Sequence, residues 1–398
     1  MRTRKSLIWV ALVITLLLVL TGCSPNQQEI FKAALKMQNV NSMQSQTTMT
    51  FQLEGTGFEP NAQQQIDKTA MFLNNAKLNL DVKMKGNEQK TAVKSQIDMK
   101  LAMQGMNLEM PLWVDSDLTG NTPKVTELIK LPQMAKATLP TQFASKEYMV
   151  LNPNDMHNPA LGNIDMTKLM DFSKNFQTTE INFLNSYSQR FNPSIEVMDN
   201  GIKNVQTSEG PKFARMYEVK LNDAQCKAFI RYTVNNFVQD QEAMAFVKQF
   251  MDSVFEFSQV PDKAKSLSDF DQAFDKFNTD KPQFLAKFNA VMDQLNNVTL
   301  LGDQGLDLQY AISGGYLVQK SGTINFKFDV AQMARLMNTL SGQQQPVSVD
   351  TKGTVNLLVN FSTNISGINN QPDIQIPEVD TTNSFNYGDL MNLLIKKS

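Results

Sequence analysis

Few side chains in this 398-residue chain have the types and spacing that chemistry requires. Cys23, Cys226 and the single histidine, His157, are the candidates for a nucleophile or a metal ligand. A thiol activated by an imidazole would give acyl transfer, and clusters of the two would hold zinc. His157 lies in "LNPNDMHNPALGN", whose Asn, Pro and Gly content marks a loop, and it reads as a surface residue. Cys226 precedes Phe229, Ile230, Thr233 and Phe237 at helical spacing, and reads as a small apolar residue on a buried helix face. Asp115-x-Asp117 and Asp303-x-x-x-Asp307 could meet a hard cation, but neither has the dense oxygen spacing of a calcium loop. They read as solvated strand-end or turn carboxylates. No GxGxxG, GxxxxGK[ST] or GxSxG is present. A glycosidase pair needs no local motif, but the aromatic residues are mostly Phe (25, against 2 Trp and 7 Tyr), where a sugar cleft presents Trp and Tyr. The expectation is a protein that is not an enzyme, with no cofactor and no metal.

Cys23 stands apart because of what precedes it. Arg2, Arg4 and Lys5 form a cationic start, Leu7 to Leu20 is apolar apart from Thr15, and Thr21-Gly22 lead into the cysteine. This is the layout of a secretory signal peptide. The apolar run covers about 21 Å as a helix, short of the ~30 Å hydrocarbon core that a spanning segment needs. Leu20-Thr21-Gly22-Cys23 resembles the lipobox of bacterial lipoproteins. That resemblance implies cleavage between Gly22 and Cys23, a diacylglycerol on the Cys23 sulfur, and a mature chain anchored in a membrane by its acyl chains. Residues 1–22 are then the signal, 23–28 a lipidated N-terminus and tether, and 29–398 a single domain. The location implied is extracytoplasmic, on the outer face of the cell membrane or on an envelope membrane facing a periplasm.

The mature chain has no second thiol for Cys226, so its stability must come from a core large enough to do without disulfides. Loss of Arg2, Arg4 and Lys5 leaves 34 basic residues against 39 acidic ones, spread along the chain. With no basic stripe, nucleic acid is excluded as a partner. The apolar residues are rich in Phe and Met (25 and 23), and methionine's flexible thioether suits adaptable binding surfaces as well as cores.

Period-two alternation dominates the first third of the chain. In "AKLNLDVKMKG", Leu78, Leu80, Val82 and Met84 share one face while Asn79, Asp81, Lys83 and Lys85 share the other. The pattern begins at Met43, Thr47, Met49, Phe51 and Leu53. It recurs at Val93, Ile97, Met99, Leu101 and Met103, and again at Met106, Leu108, Met110, Leu112 and Val114. Breaks at Gly86-Asn87 and Gly105 supply turns, so an antiparallel sheet with one buried face is expected. Gln27–Gln38 and the stretch from Met166 read as helices. A helical block follows at about 222–296, with Asp223 as its cap, a break at Pro261 and a last helix capped by Asp280. Strands return in "GLDLQYAISGGYLVQKSGTINFKFDV", with turns expected at Gly314-Gly315 and Ser321-Gly322. "VNLLVNFSTNISG" gives one more strand, and "PDIQIPEV" is expected to close the sheet.

Strands, helices, then strands again is an α+β order: a large curved antiparallel sheet with the helical block over its concave face. The order, the "ALKMQNVNSMQSQTTMTFQLEG" opening and the "INFKFD…VNLLVNFSTNISGINNQPDIQIPEV" ending resemble the LolA/LppX-like lipoprotein superfamily over about Gln27 to Val379. The resemblance implies a half-open barrel with a hydrophobic cavity beneath a helical lid. The helical Phe and Met stripes supply its candidate lining: Phe229, Phe237, Phe250, Met251, Phe274, Phe288 and Met292. The function expected is binding of a lipid or other hydrophobic ligand as carrier, chaperone or sensor. The alternative is an envelope interaction or structural lipoprotein with a packed core. A solute-binding lipoprotein of an importer would need βα units in two lobes, which this strand pattern lacks.

Overall fold

A computed structural model describes residues 24–119, 124–152, 163–164, 166–259, 262–341 and 352–395. The signal stretch, Cys23, His157 and Pro261 lie outside the described residues. The strands are β1 (Ser42–Thr56), β2 (Lys77–Gly86), β3 (Ala92–Met103), β4 (Met106–Asp117), β5 (Lys124–Lys130), β6 (Tyr148–Leu151), β7 (Asn163–Ile164), β8 (Val197–Thr207), β9 (Gly210–Leu221), β10 (Ser258–Gln259), β11 (Leu301–Ser313), β12 (Tyr316–Asp329), β13 (Thr354–Ser366) and β14 (Ser384–Asn386). The helices are α1 (Pro25–Gln38), α2 (Pro60–Leu73), α3 (Gln133–Lys136), α4 (Thr141–Ala144), α5 (Met166–Arg190), α6 (Asp223–Gln239), α7 (Gln241–Phe257), α8 (Lys263–Leu295), α9 (Val330–Ser341) and α10 (Tyr387–Ile395).

Among the described residues, twelve strands form one open sheet in the order β14-β6-β5-β4-β3-β2-β1-β13-β12-β11-β9-β8, antiparallel except for β14 on β6; β7 and β10 pair separately. The centre of the sheet joins the two ends of the chain, because β1 pairs with β13 from Gln44↔Ser366 to Thr56↔Thr354. At one end the sheet rolls. The tip of the β8–β9 hairpin reaches β13, where Ser208 and Ser366 share a hydroxyl hydrogen bond at 2.6 Å and the Gly367 N–H donates to Glu209 at 2.9 Å. Val205, Ala214, Ala311 and Val318 meet inside that roll.

The sealed core lies on the other face of β8, β9 and β11. Val197, Tyr217, Val219 and Leu221 pack there against Phe191 from the segment after α5, Phe229 and Phe237 of α6, Ala243 of α7 and Ile30 of α1. A second small core sits at the far end, where Trp113 and Leu128 are buried with Ile374. Ile374 belongs to "PDIQIPEV", expected to close the sheet. That segment joins no ladder and lies across the sheet face instead.

Caps and turns correct several expectations. Asn222, not Asp223, caps α6 through a reciprocal pair with Gln225, which frees Asp223 for another task. Asp280 caps nothing: α8 runs unbroken from Lys263 to Leu295 through Pro282, with Asp280 paired to Lys276 at 2.7 Å. The hairpin turn at Gly314-Gly315 is present, both residues having positive φ (57° and 79°), but β12 continues straight through Ser321-Gly322. Gly322 is there for close approach. A Cβ on it would stand 2.5 Å from the Asp307 carbonyl oxygen and 3.1 Å from the Phe361 ring. The expected tether is also absent from residue 24 onward. Ser24 caps α1 in a box with Gln27, while Asn26 and Gln27 donate to the Val197 and Ile195 carbonyls at 2.9 and 2.6 Å.

Candidate functional site

Strands β12, β13, β1, β2, β3 and β4 lie side by side with no bulge in any ladder between them. Alternation therefore keeps each apolar set on one face across all six. The register writes it out in rows: Leu108, Leu101, Leu78, Met49 and Phe361 stand abreast, as do Met110, Met99, Leu80, Thr47 and Thr363. Toward the other end of β1, Phe51, Val359 and Ile324 form one row, and Leu53, Leu357 and Phe326 another. The opposite face carries Asp81, Lys83, Lys94, Asp98, Lys100, Glu109 and Lys327, together with side-chain pairs such as Thr323 with Asn360 (2.7 Å) and Asn325 with Asn356 (2.6 Å).

This apolar face is only partly covered. None of its Leu, Met, Val and Ile side chains on β2, β3 and β4 is fully buried, and on β12 Phe326 is 40% exposed. In β9, by contrast, Ala214, Tyr217, Val219 and Leu221 are all buried beneath or inside packed elements. The burial boundary runs along β13, whose Thr363 and Ile365 are buried while Val355 to Phe361 on the same face are half-buried.

One rung of the face is polar. Thr47 and Thr363 hydrogen-bond through their hydroxyls at 2.9 Å, Thr363 stands opposite Lys320, and Lys320 stands opposite Tyr310. Burial pushes the Tyr310 phenol up to about 12, so it stays protonated and can donate. Lys320 is exposed, and it is the one charged residue that β12, β13, β1, β2, β3 and β4 place on this face. Among the described residues it has no ion pair.

The helical residues expected to line a cavity do not converge. Phe229 and Phe237 are in the sealed core, edge-on to Phe191 and to Tyr187, respectively. Phe250 packs 5.2 Å from Phe176 and 6.0 Å from Phe172, beside a small open cleft of about 300 Å³ between α5 and α7 whose rim carries Lys168 and Glu256. Phe274 lies with Phe270, 5.7 Å away, and Met292 is buried on α8; Met251 and Phe288 are half-buried. The sheet face thus offers the broadest apolar surface, and the helices mainly seal one end of it.

Cys226, Asp115, Asp117, Asp307 and Asp223 sit in structural surroundings. Burial raises the Cys226 thiol, and nearby Asp223 raises it further, which leaves little thiolate at neutral pH. Asp115 pairs with Lys94 at 3.4 Å, and Asp117 accepts from Thr119. Asp307 lies 3.5 Å from Lys220. Asp223 accepts from the backbone N–H groups of Leu300 and Leu301 (2.8 and 2.9 Å) and from Lys227, which is only 4% exposed and also donates to the Val298 carbonyl. Burial acts to raise the Asp223 carboxyl, but Lys227 and those N–H groups together hold it below the usual carboxylate range. This cluster locks the start of α6 to the segment that enters β11.

The polar rung escaped the sequence reading, although its signal was present. Counting back by twos from Phe328, Phe326 and Ile324 places Lys320 on the apolar face. A turn expected at Ser321-Gly322 broke that count.

Comparison with protein-family models, curated proteins and solved structures gives no match to this chain.

Proposed function

We propose that the chain is a membrane-anchored envelope lipoprotein, not an enzyme, that holds a hydrophobic chain (lipid or lipid-linked) on its Met- and Leu-lined sheet face. It would act as a carrier, chaperone or sensor. The observation carrying this reading is the six-strand face, continuous, almost free of charge and incompletely buried. Contiguous apolar surface of this kind marks a binding site more often than a solvent face. Seven methionines, Met43, Met49, Met84, Met99, Met103, Met106 and Met110, give it walls that adapt to a flexible chain. The helical block, packed over β8, β9 and β11, stands as cover at one end of a half-open barrel. Cleavage before Cys23 and acylation of its sulfur supply the anchor, and no nucleic acid, metal or cofactor is required.

The test is native mass spectrometry of the mature chain from residue 24, which retains every described residue, after expression and gentle purification. Co-purified lipid in near-stoichiometric amount, or saturable uptake of a fluorescent fatty acid, is the expected result. Protein that is empty and takes up no probe refutes the reading. Mass analysis of the N-terminal peptide of the full-length product tests the anchor separately, with a diacylglycerol-modified Cys23 expected.

A further inference from the structure

From the polar rung we infer that the face is selective: its ligand is an amphiphile with a single anionic head, and Lys320 is the residue that receives that head. The inference rests on the reading that the face holds a hydrophobic chain. Lys320 is exposed, so its ammonium is solvated in the free chain and open to a partner. The other charges of these six strands face the opposite way, so the position of Lys320 is not explained by solubility.

Its neighbours complete a head-group cradle. The Thr47–Thr363 hydroxyl pair stands on one side, and the protonated Tyr310 phenol on the other. Hydroxyl donors beside an ammonium suit a carboxylate or a phosphate, because bonds to a charged acceptor are the strong ones. Along β12 from Lys320, the same face shows Gly322, Ile324, Phe326 and Phe328. Gly322 presents no side chain, and Leu308 and Phe361 close over it, so the apolar surface continues across that position. From Gly322 to Phe328 the strand extends about 20 Å. One leaflet of a bilayer is about 15 Å of hydrocarbon, so the apolar track accommodates the chain of an ordinary membrane lipid. The head would sit at the rung and the tail would run toward the exposed Phe326.

The experiment is calorimetric titration of the mature chain from residue 24 with three probes sharing one C16 tail. These are palmitate, monopalmitoyl phosphate and neutral monopalmitoylglycerol. The expected result is about tenfold tighter binding of at least one anionic probe than of the neutral one, the scale of one charge-assisted hydrogen bond. Which of palmitate and the phosphate binds more tightly identifies the head. Lys320→Gln should abolish the preference while leaving binding of the neutral probe unchanged, and Lys320→Arg should retain it. Unchanged neutral-probe binding also reports that the variant is folded. Equal binding of all three probes by the wild-type chain, or a preference that survives Lys320→Gln, overturns the inference and leaves the hydrophobic-chain reading intact. Binding of none of the three overturns that reading itself.

Discussion

The cluster at the start of α6 gives the sharpest test of the physical argument. Lys227 is 4% exposed and donates to Asp223 and to the Val298 carbonyl, while Asp223 also accepts from Leu300 and Leu301. The two partners are not equivalent. Asp223→Asn leaves a buried ammonium with one carbonyl and no counter-charge. Removing one partner of a buried pair in this way costs about 3 kcal/mol. Lys227→Met leaves a carboxylate that is partly exposed and still holds two backbone N–H groups, and it fills the ammonium's volume with apolar atoms. Its cost should be about 1 kcal/mol or less. Urea unfolding of the mature chain followed by circular dichroism, with midpoint and slope compared, measures both. The pH dependence adds a sign. The folded pKa of Asp223 is depressed, so its contribution is fully present above the unfolded value of about 3.9 and lost as pH falls through the folded value. The gap between wild type and Asp223→Asn should therefore be full at pH 7 and shrink toward pH 2. Equal costs for the two variants, a larger cost for Lys227→Met, or a gap that widens in acid would refute the reasoning.

Other expectations follow from the division between sealed and open parts of the molecule. Phe229→Ala, at 4% exposure in the sealed core, should cost about 3–5 kcal/mol, whereas Phe250→Ala, 38% exposed, should cost about 1 kcal/mol. Thermal unfolding distinguishes them, and similar losses would show that the two sites are packed alike. Cys226 should react with a thiol reagent such as dithionitrobenzoate more than about tenfold more slowly in the native chain than in urea, with its rate rising only at alkaline pH. A native rate equal to the unfolded one would mean that its surroundings are open.

The parts of the fold legible in the sequence are those where one periodicity acts alone. β2 alternates strictly and β3 and most of β4 nearly so, because one face is largely wet and charged, and each was readable residue by residue. The stretches that were not readable have specific causes. α2 clusters four of its apolar residues, Ala70 to Leu73, at its end and buries none of them fully. It is held by its Pro60 start and by Gln63 donating to the Gly55 carbonyl at 2.7 Å, a contact no periodicity announces. α8 passes through Pro282, which ordinarily breaks a helix. Here the Phe277 and Phe284 rings meet edge-on at 5.2 Å across that point. The candidate site was half legible. Its apolar rows are in the alternation, whereas its polar rung exists only once β1, β13, β12 and β11 are set in register. The helical aromatic stripes do not converge on one cavity, because spacing cannot distinguish a stripe that seals a core from one that lines a cleft.

The pairing of β1 with β13 also governs how the molecule comes into being. Thr47 and Thr363 meet across 316 positions of chain. At 5–20 residues per second of synthesis, roughly 15–60 s separate the appearance of the two partners. Throughout that interval β1 to β4 can form a Met-lined hairpin stack with a bare edge along β1, the geometry that recruits further strands from other chains. Such long-range closure makes folding slow, and it places the hazard in the nascent N-terminal third. A chain truncated before residue 352 would keep that edge permanently, and would be expected to aggregate rather than to persist as a smaller folded protein.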